Sequence, residues 1–179
     1  MEKGRIVNET AIKLLREMNP VVLHGYTSAQ GDAIVRKQIA DNLNSRFATA
    51  FRPENLYMTV GAAASLCCCL NGLCNPGDEV IVFAPFFPEY RVFIEGAGAK
   101  MTMIPADIEA FQIDFAAFEA AITEKTKAVI VNSPNNPSGT LYSEDTVKKL
   151  AAILEEASNK YGQPIFLLAD EPYREIVFK

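Results

Sequence analysis

Tryptophan is missing from all 179 residues, and His24 is the sole histidine. A metal site would therefore have to rest on the cysteines, and these are badly spaced for it. Cys67, Cys68 and Cys69 are consecutive, so on a helix they point to different sides and cannot share one ion; Cys74 follows alone. No metal site is expected, and the thiols read as reduced, buried core residues of a cytosolic protein. No apolar run reaches membrane-spanning length, and the N-terminus "MEKGRIVNETAIKLL" lacks the layout of a signal peptide, so no membrane partner and a cytoplasmic address are expected. There is no basic stripe: the net charge is −5 with both signs interspersed, which argues against nucleic acid as a partner. Neither GxxxxGK[ST] nor GxGxxG occurs, which removes the main support for a nucleotide fold.

What remains is an ordinary composition, 49% hydrophobic and 22% charged, in a chain long enough for one domain with a real core. "NETAIKLLREM" carries Ile12, Leu15 and Met18 at helical spacing. "GDAIVRKQIADNLNSRF" repeats the pattern with Ile34, Ile39, Leu43 and Phe47 on roughly one face. From residue 55 onward apolar β-rich runs alternate with helical ones. Strands are expected at 56–60, 80–84, 101–104, 128–132 and 165–169, with helices between them beginning "GAAASLCCC", "PEYRVF", "DFAAFEAA" and "SEDTVKKL". This alternation predicts an α/β fold, a three-layer α/β/α sandwich around a mainly parallel sheet. The "REIVF" that follows reads as the start of a further element.

Chemistry concentrates at the carboxyl ends of these strands, where α/β proteins hold their ligands. "VGAAAS" turns from strand to helix through Gly61, and small residues leave the Ala62 and Ala63 amides uncovered at a helix N-terminus. That suits a phosphate, or simply close packing of helix on strand. "APFFPEY" holds Phe86, Phe87 and Tyr90 between prolines, either to stack on a planar ligand or to plug the end of the sheet. "VNSPNNPSG" (131–139) places three asparagines and two prolines directly after a core strand; the prolines exclude both helix and paired strand there. "ADEPYRE" ends a strand on Asp170, an acid that needs a cationic or metal-bound partner if buried, with Tyr173 three residues on.

Together, and in this order, these four stretches resemble the fold-type-I pyridoxal-phosphate enzymes, in particular the class I/II aminotransferases of the aspartate aminotransferase superfamily. The likeness runs from about Asn19 to the end. "NNPSG" is similar to the family's Asn-Pro-Thr/Ser-Gly turn, "DEPY" to its Asp-x-x-Tyr strand end, and "HGYTSAQGDAIVRKQIA" to the segment whose tyrosine reaches the neighbouring subunit. The resemblance implies pyridoxal 5'-phosphate as cofactor, with Asp170 on the pyridine nitrogen and Asn136 and Tyr173 on the phenolate oxygen. It further implies Phe87 against the ring face, the turn Gly61, Ala62 and Ala63 at the phosphate, and Tyr26 reaching that phosphate from a partner subunit. Asn132, Ser133 and Asn135 are expected to shape the turn.

The implied reaction moves an amino group between an amino acid and a 2-oxo acid. The implied assembly is a homodimer or larger, and the implied organisation is N-terminal helices with an interface loop (1–50) followed by a partial cofactor-binding large domain (51–179). The family's Schiff-base lysine lies downstream of the Asp-x-x-Tyr strand. Lys179, nine positions after Asp170, stands where the family has a turn. No catalytic lysine is therefore expected in this chain, which reads as an inactive fragment of a large domain. In the family the first strand does not pair directly with the others, so 56–60 is expected to be an orphan strand and 51–75 to be disturbed. A lyase or racemase relative and a non-catalytic module binding a phosphorylated ligand are the alternative readings.

Overall fold

The computed structural model describes residues 2–106 and 111–176. The chain divides into two compact units, Met1–Thr59 and Val60–Lys179. The first unit holds α1 (Glu2–Glu17), the short α2 (Pro20–Leu23), α3 (Ala33–Phe47) and a 3-10 turn, Pro53–Asn55. Asp32 caps α3 by accepting from the Ile34 and Val35 amides, both at 2.9 Å. The inward side of α3 is not the apolar stripe that the spacing suggests. Arg36 and Ala40 are buried, while Ile34 is 70% exposed. Arg36 earns its burial with two backbone acceptors, Nε donating to the Gly31 carbonyl at 3.2 Å and Nη1 to the Pro53 carbonyl at 2.7 Å.

The expected strand at 56–60 does not form. Leu56 has extended backbone angles, but a strand exists only by pairing, and no strand among the described residues pairs with this segment. Its polar groups turn to a local loop instead: the Met58 amide donates to the Gln30 carbonyl at 3.0 Å, and Gln30 Nε2 donates to the Tyr57 hydroxyl at 2.8 Å. Gly31, at φ +94°, makes this approach possible, since a Cβ there would sit 2.5 Å from Met58 Cγ.

The second unit is the expected α/β sandwich. Its strands are β1 (Glu79–Phe83), β2 (Lys100–Ile104), β3 (Thr126–Asn132) and β4 (Phe166–Asp170), all parallel and in the order β2-β1-β3-β4. Its helices are α4 (Gly61–Leu73), α5 (Tyr90–Gly96), α6 (Phe115–Ala121) and α7 (Glu144–Tyr161). Side chains alternate across the sheet and so divide the core in two. Ile81, Phe83, Val129 and Val131 meet Phe118 of α6 and Leu150 and Leu154 of α7. Val80, Val82, Ala128 and Ile130 meet Leu66 and Leu70 of α4 and Tyr90 and Ile94 of α5. Burying each large apolar side chain contributes about 1.5–3 kcal/mol, so the two layers hold the sheet from both faces.

The helix ends are set by sequence. Ser143 accepts from the Thr146 amide at 3.1 Å to start α7, and Gly162 ends it at φ 68°. Asp114 starts α6 by accepting from the Ala117 amide at 3.0 Å.

Two sequence expectations are corrected here. The disturbance expected over 51–75 stops short of α4, which is complete and docks Leu66 and Leu70 into the core. The cysteines are not fully buried core residues: Cys68 and Cys69 are exposed and Cys67 is half-buried, because α4 faces the sheet with Leu66 and Leu70, while half-buried Cys74 packs against the edge of the core. Among the described residues no cluster of metal-ligating side chains forms, and no helix is long and apolar enough to cross a membrane. Glu171 and Tyr173 begin two short turns after β4; residues 177–179, including Lys179 and most of the apolar part of "REIVF", lie outside the described residues.

Candidate active site

Parallel strands bring all their carboxyl ends to one edge, and here that edge gathers the loops following β1, β3 and β4 with the N-terminus of α4. In the β3–β4 register Asn132 lies opposite Asp170. Asn132 is buried with both polar atoms bonded: Nδ2 donates to the Asp170 carbonyl at 2.8 Å, and Oδ1 accepts from the Asn136 amide at 2.6 Å. One side chain thus fixes the turn of 133–139 to the end of the neighbouring strand.

The rest of that turn is knitted by its own polar side chains. Asn135 Oδ1 accepts from the Ser138 amide at 3.0 Å and from its hydroxyl at 2.8 Å, while Nδ2 donates to the Pro85 carbonyl at 3.1 Å. Ser133 Oγ accepts from the Tyr142 amide at 3.0 Å. Asn132, Ser133 and Asn135 therefore shape the turn, as the sequence suggests, and Asn135 also ties it to the loop after β1.

Held this way, Asn136 reaches the Tyr173 hydroxyl with Nδ2 at 3.2 Å across 37 residues of chain. Asp170 accepts a 2.5 Å hydrogen bond on Oδ2 from the Tyr90 hydroxyl, 80 residues away. Tyr90 is 1% exposed; burial first, then the bond to Asp170 and the nearby Asp170 and Tyr173 charges, push its phenol far above the ordinary range, so it stays a proton donor. Phe87 meets Tyr90 edge-on, with ring centroids 5.7 Å apart and planes at 76°. Gly61 has φ +81°, and Val60 before it supplies no side-chain cap to α4. Ala62 and Ala63, on the first turn, are exposed.

One cavity of about 200 Å³ lies among them, lined by Ala62, Ala63 and Leu66, by Asn132 and Asn136, and by Phe87, Asp170, Pro172 and Tyr173. It adjoins a larger groove of about 490 Å³ through Asn136 and Tyr173, and another of about 410 Å³ through Ala62 and Asp170. A carboxylate, a paired amide and phenol, an aromatic face and a helix start without a side-chain cap from Val60 surround it; among the described residues no lysine lines it. Of the residues expected at the site, seven lie in the Val60–Lys179 unit and six of these line the cavity. Gly61 sets the turn that leads into it, and Tyr26 belongs to the other unit, where it is fully exposed. Sequence reasoning missed the pairing of Tyr90 with Asp170. Its only local signal was a tyrosine three residues after Phe87, which served equally well as a core aromatic.

The family model described as "Aminotransferase class I and II" matches residues 4–179. The amino transferase of Eubacterium rectale superposes with a TM-score of 0.95 at 55% identity, over 98% of this chain and 44% of that one. The aspartate aminotransferase of Thermus thermophilus, solved with maleate, gives a TM-score of 0.80 at 29% identity, over 87% of this chain and 39% of that one. The aspartate aminotransferase of Sulfurisphaera tokodaii is 31% identical over 87% of this chain and 38% of its own length. The chain thus spans roughly two fifths of the relatives that it matches.

Proposed function

Since this chain belongs to the class I and II aminotransferase family, we propose that its Val60–Lys179 unit holds the ring and phosphate of pyridoxal 5'-phosphate for a protein that moves amino groups between an amino acid and a 2-oxo acid. The observation that carries this reading is the meeting of Asn136 with Tyr173 at 3.2 Å beside Asp170, on a cavity walled by Phe87. The donor set fits the group. A carboxylate suits a protonated pyridine nitrogen, an amide N–H and a phenol suit a phenolate oxygen, and a helix start with exposed Ala62 and Ala63, to which Val60 gives no side-chain cap, suits a phosphate dianion. Pyridoxal phosphate, when bound, supplies an electron sink for the pair of electrons left behind as an amino acid loses its α-proton.

Each residue would have its own task. Asp170 would hold the ring nitrogen and keep it protonated. Asn136 and Tyr173 would donate to the phenolate oxygen, and Phe87 would lie against the ring face. The amides of Ala62 and Ala63 would hold the phosphate. Tyr26, supplied by a second copy of the chain, would add a further donor there. Among the described residues, no group lining the cavity would take the α-proton as a lysine amine would. The role proposed for these residues is therefore to bind and orient, with no amino-acid turnover of their own.

Two coarser aspects of the reading rest on other features. The Met1–Thr59 unit exposes Val21, Val22 and Tyr26, an apolar surface that a second subunit of a homodimer would cover. The four cysteines are free thiols, which suits a reducing, cytoplasmic setting. The division into an N-terminal interface segment (1–50) and a cofactor-binding part (51–179) belongs to the same proposal.

The test is a titration with pyridoxal phosphate, followed by its absorbance, of the chain and of Asp170→Ala, Asn136→Ala and Tyr173→Phe. Each variant should bind about tenfold more weakly or worse, the scale of a lost hydrogen bond to a charged group. Equal affinities across the four proteins would reject the site.

A further inference from the structure

We infer that Tyr90 is the positioning residue of the cofactor site: by donating to Oδ2 of Asp170 it fixes the carboxylate so that Oδ1 is the oxygen presented to a ring nitrogen. The inference rests on the proposed reading of Asp170 and goes beyond it, because Tyr90 touches no ligand itself.

The geometry that supports it is specific. Tyr90 opens α5 and is 1% exposed, its ring packed in the core layer with Leu66, Leu70, Val82 and Ile130. That packing leaves the phenol no freedom to follow Asp170 if the carboxylate turns; the carboxylate must conform to the phenol. Asp170 itself is the last residue of β4, an edge strand, and is half-buried. Its backbone is held by Asn132, but among the described residues its side chain makes one hydrogen bond, the 2.5 Å contact from Tyr90. Two oxygens that could exchange by rotation of the carboxylate are thereby made inequivalent. Burial and the Asp170 contact keep the phenol protonated through and beyond the neutral range, so the direction of donation does not reverse. The same ring meets Phe87 edge-on at 5.7 Å, which couples the residue that orients Asp170 to the one that walls the ring face.

Tyr90→Phe is the informative variant, since it deletes one oxygen and leaves the ring to fill its pocket. Two probes are titrated into the chain and into the variant: pyridoxal phosphate, and its analogue with CH in place of the ring nitrogen. The unaltered chain should prefer pyridoxal phosphate over the analogue by at least tenfold, because Asp170 has a nitrogen to hold in one and not in the other. Tyr90→Phe should lose most of that preference, binding pyridoxal phosphate about tenfold more weakly and the analogue unchanged, the scale of one charge-assisted hydrogen bond. A purely structural role for Tyr90 would weaken both probes alike and would overturn the inference, as would a variant that keeps the full preference. If the unaltered chain shows no preference, the reading of Asp170 is itself wrong and the inference goes with it. Far-ultraviolet circular dichroism of both proteins checks that the variant is folded.

Discussion

Asn132 and Asp170 stand opposite each other on the last rung of the β3–β4 ladder, and the Asn132 amide bonds the Asp170 carbonyl at 2.8 Å. The same side chain takes the Asn136 N–H at 2.6 Å, so two of the three groups proposed to fix a pyridine ring hang from one buried asparagine. Replacing it by alanine strands a partly buried carbonyl and a partly buried amide, at up to about 1–3 kcal/mol each. Urea unfolding of Asn132→Ala should show a stability loss of that order, together with weaker pyridoxal phosphate binding. A loss of stability with binding intact would mean that Asn136 and Asp170 are held by other means.

Alkaline stability should report on Tyr90. Its phenol is raised above its ordinary value near 10 by burial and by the Asp170 contact, so above that pH the unfolded chain releases a proton that the folded one keeps. The stabilisation is whole below about pH 10 and declines as the pH climbs further toward the folded-state value. Half-buried Tyr142, raised by burial alone, adds to the same slope. Denaturant unfolding between pH 9 and pH 11 should become shallower in its pH dependence for Tyr90→Phe, which has no proton to release; an unchanged slope would place the phenol in contact with solvent.

The docking of α4 rests on two leucines, and Leu70 is fully buried. Leu70→Ala should cost about 2–5 kcal/mol by thermal or urea unfolding. Because the amides of Ala62 and Ala63 ride on this helix, the variant should also bind inorganic phosphate and pyridoxal phosphate less well. A cost below about 1 kcal/mol would show that α4 is only loosely seated.

Thiol reactivity separates the four cysteines. Cys68 and Cys69 are exposed and should react first with a disulfide reagent in the folded chain. Cys74 should lag, because partial burial and then the neighbouring Asp78 charge raise its thiol and lower its thiolate fraction. Peptide mapping of partly labelled protein gives the order directly, and early labelling of Cys74 would contradict it.

The strands of the sheet were legible to within a residue or two: β1 and β3 are short, nearly continuous apolar runs because both of their faces are buried, and the partly exposed edge strands β2 and β4 stand between clear turn signals. The site's carriers were legible for a related reason: glycine, proline and asparagine at strand ends have few structural uses, and here they coincide in order. The 56–60 run was expected to lack a partner, and among the described residues it has none; with nothing to ladder against, its strand-like composition yields a loop. Two features escaped. Arg36 is buried by two carbonyls, from Gly31 and Pro53, that only the folded chain brings near it. Tyr90 meets Asp170 across 80 residues, a distance at which no local periodicity speaks.

The most direct measurement is a crystal structure of the chain grown with pyridoxal phosphate. The expected complex has the ring nitrogen within hydrogen-bond distance of Asp170 Oδ1, the phenolate oxygen shared by Asn136 and Tyr173, Phe87 against the ring, and the phosphate at the Ala62 and Ala63 amides. Pyridoxal phosphate found only on surface lysines, with Asp170 and Asn136 making no contact to it, would contradict the assignment of this cavity as a cofactor site.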